Sequence, residues 1–224
     1  MADTPAGDGK FRDLDRDVEM VAHAHQRLLA ALDELIDQDA LGVSAPSLLP
    51  DWTLGHVLTH VTNSGRGHVG ILQAAARGEA VAQYPHGVDG RAADIEAGAG
   101  RPAAEQRDDL RRSIYELEGE YAVSKWVGTG KAPFGDVQVI DLPYYRMREV
   151  AIHHIDLDIG YRFDDLPDVY LRLEVSRLEM QWKARQPMGL TPLPDAALAL
   201  EPPDRLAWMM GRETFDGLAP AGIF

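Results

Sequence analysis

The 224-residue sequence contains no cysteine. That excludes disulfides, thiolate zinc sites and nucleophilic or redox chemistry on a protein sulfur. Any thiol chemistry must therefore use a sulfur brought in from outside. Basic residues are also scarce: 22 Lys and Arg stand against 36 Asp and Glu, for a formal net charge of -14. Such a surface repels a phosphate backbone, so nucleic acid is not an expected partner, and an anionic small molecule would need local arginines. Long apolar runs are missing: no segment approaches the ~20 residues of a membrane-spanning helix, and Met1 to Lys10 lacks the apolar core of a signal peptide. A soluble cytoplasmic protein, monomer or homodimer, without membrane partners is expected. Glycine-rich phosphate loops, nucleophile elbows and dinucleotide fingerprints are absent as well.

What is present is 45% hydrophobic residues, enough in a chain of this length for a substantial core. Residues 1–11 read as a disordered tail. From Leu14 to about Gln38, Val18, Val21, Leu28, Leu29, Leu32, Leu35 and Ile36 recur at helical spacing. After a loop with Pro46 and Pro50, Asp51 or Thr53 caps a second helix with the stripe Leu54, Val57, Leu58, Val61. Residues 78–104 read as loop, with a short helical turn over 91–96. A third helix spans about 103–125, a short strand is expected at 137–140, and Pro143 opens a fourth helix ending near Gly160. The expected fold is mainly α: a four-helix bundle over 12–164 with a small C-terminal α+β domain over 165–224. In that appendage Pro167 starts a helix, a proline-rich run covers 187–194, 197–200 read as strand, and Asp204 caps a last short helix.

The chemistry concentrates in Arg146-Met147-Arg148-Glu149-Val150-Ala151-Ile152-His153-His154-Ile155-Asp156. On a helix, Glu149 and His153 share one face, a turn apart. Asp156, three residues on, is placed to orient an imidazole from behind. A second segment, Trp52 to His60, offers a third ligand from another helix. Two histidines and a glutamate leave a coordination position open, as catalytic zinc sites do. The plainer reading is a hydrogen-bonded couple at Glu149 and His153, a core histidine at 60 and a capping or surface histidine at 56. His23, His25, His68 and His86 read as surface or packing residues, and His154 points about 100° away from His153. Arg146 and Arg148 are expected to pair with acidic residues, and the four tryptophans to pack. Arg91 and Arg212 read as ordinary surface charges or as carboxylate binders.

The stretches Pro50-Asp51-Trp52-Thr53 through Val57-Leu58-Thr59-His60-Val61, and Arg146-x-x-Glu149-Val150-x-Ile152-His153-x-x-Asp156-Leu157, resemble the mycothiol-dependent maleylpyruvate isomerases, members of the DinB-like metal-binding four-helix bundles. The similarity continues through Leu166-Pro167-Asp168-Val169, Gln181-Trp182 and Gly211-Arg212. The resemblance implies that His60, Glu149 and His153 bind a divalent metal, zinc first, and that Arg91 and Arg212 lie near the active cleft. It implies mycothiol as the thiol cofactor, which suits a chain without cysteine. The implied reaction is cis–trans isomerisation of maleylpyruvate or a related cis-enoate by thiolate addition and elimination. Two alternatives remain open at this point: a mycothiol S-transferase acting on electrophiles, and a metal-binding module without turnover.

Overall fold

The structure, a computed structural model, describes residues 12–185 and 191–223. The tail expected over 1–11 and residues 187–190 of the proline-rich run lie outside them. The chain divides into two compact units, 12–159 and 160 onward.

The larger unit is built on four long helices: α1 (Leu14–Asp37), α2 (Leu54–Ala76), α4 (Ala103–Val123) and α5 (Leu142–Asp156). Asp13 caps α1 by accepting the Arg16 backbone N–H at 3.2 Å. Thr53 starts α2, and its backbone N–H donates to His56 Nδ1 at 3.1 Å. His56 thus takes the part that Glu or Gln has in a capping box, and the capping reading of this histidine holds. Pro143 sits in the first turn of α5, where its missing N–H costs nothing. The apolar stripes of the four helices meet in one core, with Leu28, Leu32, Val57, Leu58, Leu110, Ile114 and Val150 nearly or fully buried. Burying each such side chain contributes roughly 1.5–3 kcal/mol, which holds the bundle against the entropy of ordering it.

The segment read as loop from 78 to 104 contains instead a 13-residue helix, α3 (Gly87–Ala99). Its sequence is mostly glycine and alanine, and it buries only Ile95, Gly98 and Ala99, so it carries almost no apolar period. It is held by close approach to α2. A Cβ on Gly55 would lie 1.9 Å from the Ala99 carbonyl oxygen, and one on Gly98 would lie 2.5 Å from Thr59 Cγ2. Glycine at 55 lets the two backbones meet, and glycine at 98 leaves room for the Thr59 side chain. Between α4 and α5 an antiparallel hairpin joins β1 (Thr129–Ala132) to β2 (Gly135–Gln138). Residues 81–83 run alongside it, Lys131 donating to the Val81 carbonyl at 2.9 Å and Gln83 donating to the Lys131 carbonyl at 2.8 Å. The strand expected at 137–140 therefore exists but starts and stops earlier.

The smaller unit contains α6 (Asp168–Lys183), α7 (Asp195–Leu198) and α8 (Pro202–Met209). Residues 197–200, read as strand, are not one: Pro194 and Asp195 open a single helical turn there, and among the described residues this unit has no strand. The Arg205 guanidinium ties the turn down by donating to the carbonyls of Ala197, Leu198 and Leu200. No described helix is long and apolar enough to cross a membrane.

Candidate metal centre

α2 and α5 bring His60, Glu149 and His153 together, with one donor atom from each inside a 4.8 Å set. His60 Nε2 lies 2.9 Å from Glu149 Oε2, and His153 Nε2 lies 3.8 Å from the same oxygen. The two imidazoles stand edge to face, their centres 4.6 Å apart. Glu149 Oε2 is buried and has no hydrogen-bond partner despite its neighbours. A buried carboxylate oxygen is costly unless compensated, and three donor atoms converging within 4.8 Å is an arrangement a cation resolves. The residues therefore fit a divalent metal, and the oxygen–nitrogen donor set suits zinc.

The surroundings complete the fit on one side and constrain it on the other. His153 Nδ1 and the fully buried Asp156 lie 2.8 Å apart. That carboxylate fixes the tautomer that leaves Nε2 free to coordinate. Arg91 Nη2 lies 3.1 Å from His60 Nδ1. A guanidinium can only donate, so Nδ1 accepts. A cation at Nε2 requires the proton on Nδ1, and Arg91 must then leave that nitrogen. The Trp52 ring packs edge-on against His60 at 5.6 Å. Burial pulls the His60 pKa down to about 4, against the opposing pull of Glu149. Burial pushes Glu149 up, but His60 and His153 outweigh it and hold its pKa below the usual carboxylate range. At neutral pH the pair is thus neutral imidazole and carboxylate, the protonation state a metal needs.

Behind the ligands lies a polar layer that the sequence hides. Arg146 is fully buried and does not pair with a carboxylate as expected. Its Nη1 donates to the Val61 carbonyl at 2.7 Å and its Nε donates to His25 Nε2 at 3.1 Å, which ties the ligand-bearing turn of α5 to the residue next to His60. His25 is buried too and meets Glu118 at 2.9 Å. His68, also read as surface or packing, is buried with its Nδ1 unpartnered. His154 takes no part in the ligand set. Arg212 lies in the smaller unit just past α8, where its Nη1 donates to the Met210 carbonyl.

With that geometry in view, relatives can be compared. The model of the mycothiol maleylpyruvate isomerase N-terminal domain family matches residues 21–158, a span that includes His60, Glu149 and His153. The chain belongs to this family. Two solved structures share the family fold at low identity. One is the crystal structure of the mycothiol-dependent maleylpyruvate isomerase, 19% identical, with 90% of each chain covered and a TM-score of 0.77. The other is a histidine-to-alanine mutant of the mycothiol-dependent maleylpyruvate isomerase, 20% identical, with 90% of each chain covered and a TM-score of 0.78. No curated protein matches the chain. In this family member the resemblance noted from the two histidine segments holds, and so does the mainly α fold.

Two measurements follow from the site. Asp156→Asn is expected to weaken zinc binding by roughly 10–100-fold with little change in fold, because the imidazole it orients loses its fixed tautomer; competition against a chromogenic chelator reads this. The second concerns acid stability without metal. Burial lowers the pKa of His60 and His25 to about 4 and that of His68 to about 3, from 6.5. The unfolded chain then takes up protons before the native one does. The stabilisation from neutral burial is complete above pH 6.5 and is lost as pH falls from there toward 4. The slope approaches about 1.4 kcal/mol per pH unit for each histidine. Melting temperature of the metal-free protein should hold above pH 7 and drop steeply between 6 and 4.

Proposed function

We propose that this protein is a zinc- and thiol-dependent isomerase that converts maleylpyruvate, or a related cis-enoate, to its trans form with mycothiol as the external thiol. The observation that carries this reading is the convergence of His60, Glu149 and His153 on one buried, unsatisfied carboxylate oxygen, together with membership of the family. When bound, the metal and the thiol together supply a thiolate at neutral pH, whose reversible addition to a carbon–carbon double bond allows rotation about it.

The chain's own residues have separate tasks. His60, Glu149 and His153 would hold the cation. Asp156 locks His153. Arg91, on α3, offers a bidentate donor for a substrate carboxylate and for the negative charge that develops on addition. This local cation counters the acidic surface. Trp52 shields the His60 side of the centre from water. A groove of about 630 Å³, bounded by Asn63, Arg66, Gln83, Tyr84 and Asp94, adjoins Tyr84, over whose ring Arg91 sits at 5.5 Å. That size suits a bulky small-molecule thiol.

The test is product analysis with zinc-supplied protein, mycothiol and maleylpyruvate. Fumarylpyruvate formed with the thiol regenerated supports the reading. A released thiol adduct, formed mole for mole, replaces isomerase by S-transferase. No thiol-dependent conversion at all overturns both.

A further inference from the structure

One hydrogen-bonded chain runs through all four long helices. On α4, the Glu118 side chain is 35% exposed, and its Oε1 lies 2.9 Å from Nδ1 of His25 on α1. His25 Nε2 accepts from Nε of Arg146 on α5 at 3.1 Å, and Arg146 Nη1 donates to the Val61 carbonyl on α2 at 2.7 Å. His25 and Arg146 are fully buried. The direction of the chain is fixed, because a guanidinium only donates. His25 Nε2 must accept, so the imidazole proton sits on Nδ1 and is given to Glu118. Burial lowers the His25 pKa to about 4, which keeps the ring neutral at pH 7 and preserves this direction.

The inner end of the chain adjoins the ligands. Val61 follows His60 on α2, and Arg146 stands one turn before Glu149 on α5. A carbonyl inside a helix already serves the N–H four residues on, here that of Gly65. A Cβ on Gly65 would lie 3.3 Å from Arg146 Nη2, so glycine there clears the guanidinium's way to the Val61 carbonyl. We infer that Glu118, His25 and Arg146 are positioning residues, a strut that sets His60 against the Glu149–His153 pair and so tunes how tightly the centre holds a divalent cation. The inference rests on the metal reading above and extends it to a partly exposed carboxylate on another helix. Apolar packing between α2 and α5 is non-directional, whereas a hydrogen bond from a charged donor has one narrow geometry. Without Glu118 the His25 tautomer is no longer fixed. A ring protonated at Nε2 cannot accept from Arg146, whose buried Nε then loses its acceptor.

The test uses the full-length protein. Chelator competition reads zinc affinity, and the visible absorption spectrum of the Co²⁺-substituted protein reads ligand geometry. Glu118→Ala is expected to lose about three- to tenfold in zinc affinity, within the range that packed networks transmit, and to shift the cobalt bands. Glu118→Gln keeps an acceptor for His25 Nδ1 and should restore both to wild type. Glu116→Ala, at an exposed position two residues away, controls for a general change in surface charge and should alter neither. Arg146→Met should lose most, roughly 10–100-fold, and the Glu118 variants report even if it fails to fold. Wild-type affinity and spectrum in Glu118→Ala overturn the strut. So does a loss in Glu118→Gln, or in Glu116→Ala, as large as in Glu118→Ala. Wild-type protein that binds no divalent cation overturns the metal reading and the strut with it, whereas zinc binding indifferent to Glu118 removes the strut alone.

Discussion

Glu149→Ala is expected to abolish stable zinc binding and thiol-dependent turnover together. Glu149 Oε2 is the atom nearest both imidazoles, at 2.9 Å and 3.8 Å, so its loss leaves two neutral nitrogens and no negative charge to offset the ion. Removing a ligand of a three-ligand centre costs more than removing an outer partner, and hence more than about 100-fold in affinity. Metal content of the purified variant and its zinc titration measure this. A variant that keeps one equivalent of zinc and loses only activity would assign Glu149 to the reaction and away from the metal. Glu149→Gln separates charge from shape: it should fill the same space, bind zinc far more weakly and remain folded.

Gly55→Ala should be the most damaging single-methyl change to the fold. The added carbon would stand 1.9 Å from the Ala99 carbonyl oxygen, a backbone atom that cannot turn aside. Either α3 moves off α2 or α2 bends, and overpacking of this kind costs about 3 kcal/mol. The effect extends to the site, because α3 carries Arg91. Chemical denaturation should show the loss, and substrate affinity should fall even where zinc binding survives. Gly100→Ala, at a position with nothing within 4 Å, is the control and should change stability little.

These two positions show what a sequence discloses and what it conceals. Glu149 and His153 were legible because a helix period alone puts them on one face; His60, on an apolar stripe, read by itself as a core histidine, and the family resemblance marked it as a ligand. α3 was not legible. Its residues are chosen for backbone proximity, and glycine and alanine carry no period to read. Residues 197–200 were misread as strand because four residues are too few for any periodicity to decide, and the signal for a helical turn there is Pro194 followed by Asp195. Arg146 was expected to pair with an acidic residue. Its burial follows from its position on the inward stripe of α5, where the Val61 carbonyl and His25 each accept one of its hydrogen bonds. His68 gave no signal, since a lone imidazole on a helix has no sequence pattern.

The bond from Arg91 to His60 Nδ1 imposes an order of events. While the guanidinium rests on that nitrogen it is engaged, and a carboxylate arriving first would have to pull it away. A metal held at the opposite nitrogen would require the proton on Nδ1 and so would free the guanidinium for an acid. By thermodynamic reciprocity each guest then favours the other, so apparent affinity for the acid should rise when zinc is supplied, and an unloaded molecule should sequester little of it.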